Sequence, residues 1–178
     1  MKRSLDDFGF APRKKARPSD PLSFPFSELP PATPPEEEGT APAKKPGEVI
    51  SVGVVGSRSI TDEKKVGAAV AKLTLLLQSK NKLLTRVHSG GARGVDKCAR
   101  THANKVGLGG TDFLPEQPRA KYYFARNQKI VDASDVLLAV WDGVSRGTQD
   151  TIRRAHKKGI PVYVCQDMDT LEIKLHKN

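Results

Sequence analysis

What most narrows the folds open to this chain is a repeated order of segments: a short β-branched run, a glycine-rich turn, then residues with helical spacing. Val49-Ile50-Ser51-Val52-Gly53-Val54-Val55 runs into Gly56-Ser57-Arg58, and Leu83-Leu84-Thr85-Arg86-Val87-His88 runs into Ser89-Gly90-Gly91-Ala92-Arg93-Gly94. Val136-Leu137-Leu138-Ala139-Val140-Trp141 runs into Asp142-Gly143-Val144-Ser145-Arg146-Gly147-Thr148. The first run is short and apolar enough to be a strand buried on both faces of a parallel sheet, because a strand with one wet face would alternate polar and apolar residues, and the other two read as strands as well.

The intervening segments read as helices. Thr61 and Asp62 cap the first, whose apolar positions Val66, Ala69, Val70, Leu73, Leu76 and Leu77 recur at helical spacing. Further helices are expected over Val95–Val106, Arg119–Val131 and Thr148–Lys158, the last closed by Gly159. Thr111-Asp112-Phe113-Leu114, stopped by Pro115, and Ile160–Cys165 supply two more strands. Five strands alternating with four helices predict an α/β domain with a Rossmann-like, open, mostly parallel sheet and helices on both faces.

Residues 1–48 have a different character. They hold ten of the thirteen prolines and an acidic run at Glu36-Glu37-Glu38, a composition that buries too little apolar surface to offset the entropy of ordering it. A disordered tail over 1–48 and one domain over 49–178 are therefore expected. Lys2-Arg3 and Arg13-Lys14-Lys15-Ala16-Arg17 have the form of a bipartite import signal, which predicts an import receptor as partner through residues 2–17 and an intracellular, nuclear location. No run of about 18 apolar residues is present, so no membrane partner is expected.

The charge sits in the domain. The tail balances eight basic against eight acidic residues, so the whole +10 falls on residues 49–178, a field that favours phosphorylated or polyanionic ligands. Cys98 and Cys165 lack metal-ligand or CxxC spacing and read as reduced, buried thiols; no metal and no cofactor are expected. His88 and Ser89 are adjacent but point to opposite faces of a strand, which argues against a nucleophile–base pair.

In open parallel sheets ligands bind beyond the carboxyl ends of the strands, where all three turns fall. The turns end in neither Gly-Lys-Ser/Thr nor GxGxxG, so they are neither a Walker A loop nor a dinucleotide fingerprint. Glycines let a backbone approach an anion, and a helix N-terminus presents free N–H groups to it. Candidate phosphate-binding residues are accordingly Gly56, Ser57, Arg58, Ser89, Gly90, Gly91, Arg93, Gly94, Gly143, Ser145, Arg146, Gly147 and Thr148, with Arg126 and Asn127 from the preceding helix. Asp142, at a strand end, is a candidate for holding a sugar hydroxyl or for acid–base work.

Gly56-Ser57-Arg58, Ser89-Gly90-Gly91-Ala92-Arg93-Gly94-Val95-Asp96, Arg126-Asn127-Gln128-Lys129-Ile130-Val131 with Ser134-Asp135, and Trp141–Thr148, in that order, resemble the SLOG superfamily and within it the YspA-like branch. The likeness covers nearly all of residues 50–165. It implies a Rossmann-like domain whose two glycine-rich turns grip the phosphate of a nucleotide or nucleotide-derived ligand, as a sensor or ligand-processing module, and a homodimer. Two other activities of the superfamily remain open. In LOG phosphoribohydrolases the second turn reads PGGxGTxxE, and its glutamate works with an arginine to cleave the N-glycosidic bond of a nucleoside 5′-monophosphate. Arg126 matches that arginine, but Thr151 stands at the glutamate position and Asp150 lies one residue early, so Arg126, Asp142 and Asp150 are the catalytic candidates if a reaction occurs. In DprA-like proteins the partner is single-stranded nucleic acid, and Arg93, Arg100, Arg119, Lys121, Arg153, Arg154, Lys157 and Lys158 would form its track.

Overall fold

A computed structural model describes residues 47–117 and 119–177. The tail and its import signal lie outside the described residues. Nine elements follow one another: β1 (Glu48–Gly56), α1 (Glu63–Ser79), β2 (Lys82–His88), α2 (Val95–Lys105), α3 (Ala120–Asp132), β3 (Val136–Val140), α4 (Arg146–Lys158), β4 (Val162–Cys165) and β5 (Ile173–His176). The strands form one sheet in the order β2-β1-β3-β4-β5. β1 pairs in parallel with β2 and β3, β3 pairs in parallel with β4, and β5 runs antiparallel to β4. The expected Rossmann-like architecture is present.

Strand alternation divides the core into two layers. Val52, Val54, Val136, Leu138 and Val140 meet Val66, Val70, Leu73 and Leu77 of α1 and Val95 and Ala99 of α2 on one face. Val55, Leu137 and Ala139 meet Ile130 and Val131 of α3 and Ile152 and Ala155 of α4 on the other. Every residue of β3 is buried, as its unbroken apolar run requires.

Two strands differ from the sequence expectation. The 111–114 segment forms no strand, and its neighbourhood carries isolated parallel bridges, Arg86↔Gly109 and Ser89↔Asp112, rather than a ladder. Gly110 explains the interruption: at φ 141°, its Cα is so close to Val87 that a Cβ would lie 1.8 Å from the Val87 carbonyl oxygen. The fifth strand is instead β5, whose Ile-Lys-Leu-His sequence is too short and polar to register as an apolar run. α4 begins two residues earlier than expected, at Arg146.

This order opens a crevice at one end of the sheet. From β1 the chain crosses through α1 to β2 on one side, whereas β3 lies on the other side of β1. The crevice beyond the ends of β1 and β3 is therefore a topological switch point. The two helices flanking it are tied together at their far ends by Lys158, whose ammonium donates to the carbonyls of Val131, Asp132 and Ser134 at 2.8, 2.9 and 2.9 Å. Those carbonyls lie at the C-terminal end of α3, where a cation is favoured.

Candidate functional site

At the switch point lies a cavity of about 460 Å³. β1 delivers Gly56 and Arg58 to it, α3 delivers Tyr123, Arg126 and Asn127, and the second glycine turn delivers Asp142, Ser145, Gly147 and Thr148. An adjoining hollow of about 610 Å³ shares Arg58, Tyr123 and Arg126 and adds Gly90, Gly91, Arg93 and Leu114.

The first glycine turn is built around Arg126. A Cβ on Gly90 would fall 1.4 Å from Arg126 Nη1, so only glycine leaves room for the guanidinium. Gly94, at φ 88°, lets the turn pass over the backbone of Ser57 and Arg58 before α2 starts. The Ser89 hydroxyl is fully buried and donates to the Asp96 carbonyl at 3.3 Å. Asp96 itself accepts from the Ala92 N–H at 3.4 Å and from Arg126 Nη1 at 3.3 Å. The turn ahead of α2 is thus closed on the protein's own carboxylate.

Burial pushes the Asp96 carboxyl up to about 6, against the opposing pull of Arg126 and the amides of Ala92 and Gly56. A carboxyl whose folded value exceeds its unfolded one binds more protons in the native state, so stability falls as pH rises through the interval between them. With an unfolded value near 3.8, wild type is expected to lose on the order of 3 kcal/mol between about pH 4 and pH 6 through this group. Asp142, Asp150 and Asp135 have lowered values, so their stabilisation is lost only on further acidification. Urea midpoints of wild type and Asp96→Asn across this range separate the effects: the Asn variant should lack the decline, and equal slopes would refute the assignment.

Arg126 is 7% exposed, and its Nε has no hydrogen-bond partner among the described residues. The guanidinium stacks on the Tyr123 ring at 5.8 Å, and Arg58 lies over the same ring at 5.3 Å. Two guanidinium groups therefore converge on the cavity through one aromatic ring. Asn127, next along α3, donates its amide to the Gly147 carbonyl at 3.3 Å and to Asp150 Oδ2 at 3.2 Å, which fixes α3 against the start of α4.

The second glycine turn is shaped by Asp142. Its Oδ1 accepts the N–H groups of Val144 and Ser145 at 3.0 and 2.9 Å, its Oδ2 accepts from Ser59 Oγ at 2.9 Å, and its own N–H donates to Ser57 Oγ at 3.0 Å. Burial acts against its charge, but hydrogen bonds from Ser57, Ser145, Val144 and Ser59 outweigh it and hold the carboxyl near about 2. It is therefore a poor proton acceptor at neutral pH. Gly143 takes φ 84° to complete the turn. Ser145 occupies the N-cap of α4 without a side-chain capping bond, leaving the first-turn N–H groups free of side-chain caps. A Cβ at Gly147 would meet nothing within 4 Å, so the packing imposes no need for glycine there and the space above it is open.

The expected residues thus separate by place. Gly56, Arg58, Arg126, Asn127, Asp142, Ser145, Gly147 and Thr148 share the main cavity, and Gly90, Gly91 and Arg93 share its neighbour. Ser57, Ser89, Gly94 and Gly143 frame the turns. Arg146 and Asp150 line a separate hollow on the other side of α4. Asp150 is paired with Arg153 and Arg154, each at 2.7 Å; burial opposes its charge, while hydrogen bonds from Arg154, Asn127 and Arg153 lower its value. Thr151 does line the main cavity, with its hydroxyl donating to the Gly147 carbonyl at 2.9 Å.

The sequence reading gave Asp96 no site role, because an acid in a first helical turn is satisfied by the helix dipole alone. The need for glycine at position 90 is the one trace of its partner. No group of three or more His, Cys, Asp or Glu is arranged to hold a metal among the described residues.

No protein-family model and no curated protein matches this sequence. Among solved structures, DNA processing protein A (DprA) from Streptococcus pneumoniae is similar over 64% of this chain and 49% of its own, at 22% identity and a TM-score of 0.51. This chain therefore spans about half the length of that protein. The protein TM1055 matches at 22% identity over 63% of this chain and 71% of its own, with a TM-score of 0.46. DNA processing protein A from Helicobacter pylori, described for its single-stranded DNA binding mode, matches at 21% identity over 65% of this chain and 64% of its own, also with a TM-score of 0.46. Likeness at this identity shows a shared fold.

Proposed function

We propose that the chain is a SLOG-type module that binds a nucleotide or nucleotide-derived ligand, with the phosphate at the N-terminus of α4. The observation that carries this reading is the buried Arg126 guanidinium, with Nε unpartnered, at a cavity that also takes in the uncapped start of α4 and the bare face of Gly147. N–H groups of Gly147 and Thr148 would hold the phosphate oxygens, Arg126 and Arg58 would balance its charge, and Tyr123 would offer a ring edge to the nucleoside.

Binding is favoured over glycoside cleavage. Of the side chains near the expected glutamate position, Thr151 carries no carboxylate, Asp150 is engaged by two arginines, and Asp142 is held near about 2 by its own turn. None of these three is poised as a base at neutral pH, and Asp96, which also lines the cavity, is engaged by Arg126 and the Ala92 N–H.

A single-stranded nucleic-acid partner is the second reading, favoured by the +10 surplus of residues 49–178. Its proposed track is already partly spent. Arg100 pairs with Asp112, Arg154 pairs with Asp150, and Lys158 caps α3.

Calorimetry of the full chain against nucleoside monophosphates and ADP-ribose, repeated at two salt concentrations, tests the first reading. Saturable binding with a shallow salt dependence is expected, and no saturable heat from any of them would overturn it. Single-strand binding that weakens steeply with salt, in place of mononucleotide binding, would establish the second.

A further inference from the structure

On the far side of the α4 N-terminus is a hollow of about 490 Å³ that the phosphate pocket does not use. Its apolar walls are Phe124, Trp141 and Ile152, and Arg146 and Arg153 stand at it. Phe124 also lines the main cavity, so one ring forms the wall between the two chambers. Around the first turns of α4, Gly147, Thr148 and Thr151 face the main cavity while Arg146, Gln149 and Arg153 face the hollow. A group held at the start of this helix thus lies between two aromatic-walled chambers.

Resting on the phosphate site proposed above, we infer that this hollow is a second ring subsite and that the ligand is of the dinucleotide class, two nucleosides joined through phosphate. Three features carry the assignment. The Trp141 indole N–H is already donated to the Ser145 carbonyl at 3.2 Å, so what it offers a ligand is its π-face rather than a hydrogen bond. That is the surface on which a base stacks without regard to its identity. Arg146 is exposed, and Arg153, though paired with Asp150, keeps a side chain 79% exposed, so both guanidinium groups can follow a phosphodiester leaving the first chamber. The Asp150 carboxylate, which would repel such a ligand, is paired with Arg153 and Arg154 and accepts a hydrogen bond from Asn127.

Trp141 is the only tryptophan in the chain, so the emission comes from one ring, which lines this hollow. The full chain is titrated with AMP and with the 5′-phosphorylated dinucleotide pApA, following both heat and tryptophan emission. The dinucleotide is expected to bind at least about fivefold more tightly than AMP, since a stacked base is worth that much or more. It should also quench Trp141, which AMP should leave unchanged. Arg153→Glu, outside the phosphate pocket, should remove most of that advantage while AMP binds as in wild type. If AMP binds and pApA binds no better and without quenching, the second subsite is refuted while the phosphate site stands. If neither binds, both readings fall.

Discussion

An Arg126→Ala chain is expected to bind nucleotide at least about a hundredfold more weakly and, at neutral pH, to lose about 3–5 kcal/mol of stability. The two losses have different origins. Binding falls because the guanidinium is the buried cation at the phosphate cavity. Stability falls because removing it leaves the Asp96 carboxylate buried without its ionic partner. Adding Asp96→Asn removes that stranded charge, so the double variant should recover most of the stability and none of the affinity. Urea denaturation and calorimetry on the two variants measure these outcomes separately. A single variant that keeps wild-type affinity would show that the phosphate lies elsewhere.

Gly56→Ala is expected to cost more than about 3 kcal/mol and to leave little folded protein, although it adds one methyl group. That methyl would lie 2.2 Å from the Val140 carbonyl oxygen and 2.6 Å from a Val95 side-chain carbon, so β1 could not approach β3 and α2 at once. The same substitution at Gly147 should behave in the opposite way. Nothing lies within 4 Å of its Cβ position, and alanine in a helix is favoured over glycine by roughly 0.5–1 kcal/mol, so the melting temperature should hold or rise. Nucleotide affinity should nevertheless drop, because the methyl occupies the space the phosphate would need. Thermal melts beside calorimetry distinguish the two glycines. A Gly147→Ala chain with unchanged affinity would argue that the open space there has no ligand role.

The contrast between these glycines shows what a sequence discloses of such a site. Apolar runs announced β1, β3 and β4, because full burial forces unbroken β-branched and leucine stretches, whereas β2, half-buried at the sheet edge, was legible from its leucines and the glycine turn after it. β5 escaped because an edge strand needs no such run, and the 111–114 segment misled because Gly110 breaks the pairing that its residues would otherwise favour. At the site, the turns were legible as turns but the reasons for their glycines were not. Gly90 answers to a side chain thirty-six residues away on α3, Gly94 to backbone on the β1 side, and Gly147 to nothing in the protein. Contacts between distant segments leave no periodic mark, so the Asp96–Arg126 pair and the Arg58–Tyr123–Arg126 stack required the fold to be seen.

Lys158 and Asn127 together have a consequence for how the pocket meets its ligand. The lysine fastens the last turn of α4 to the end of α3, and the asparagine fastens the first turn of α4 to the middle of α3. Two helices pinned at both ends cannot slide or splay independently, so the arginine on one and the N–H groups on the other keep a fixed separation before anything arrives. Little ordering entropy then remains to be lost on association, and a ligand whose charge spacing differs from that separation is rejected rather than accommodated. In this sense a lysine remote from the cavity acts as its calliper.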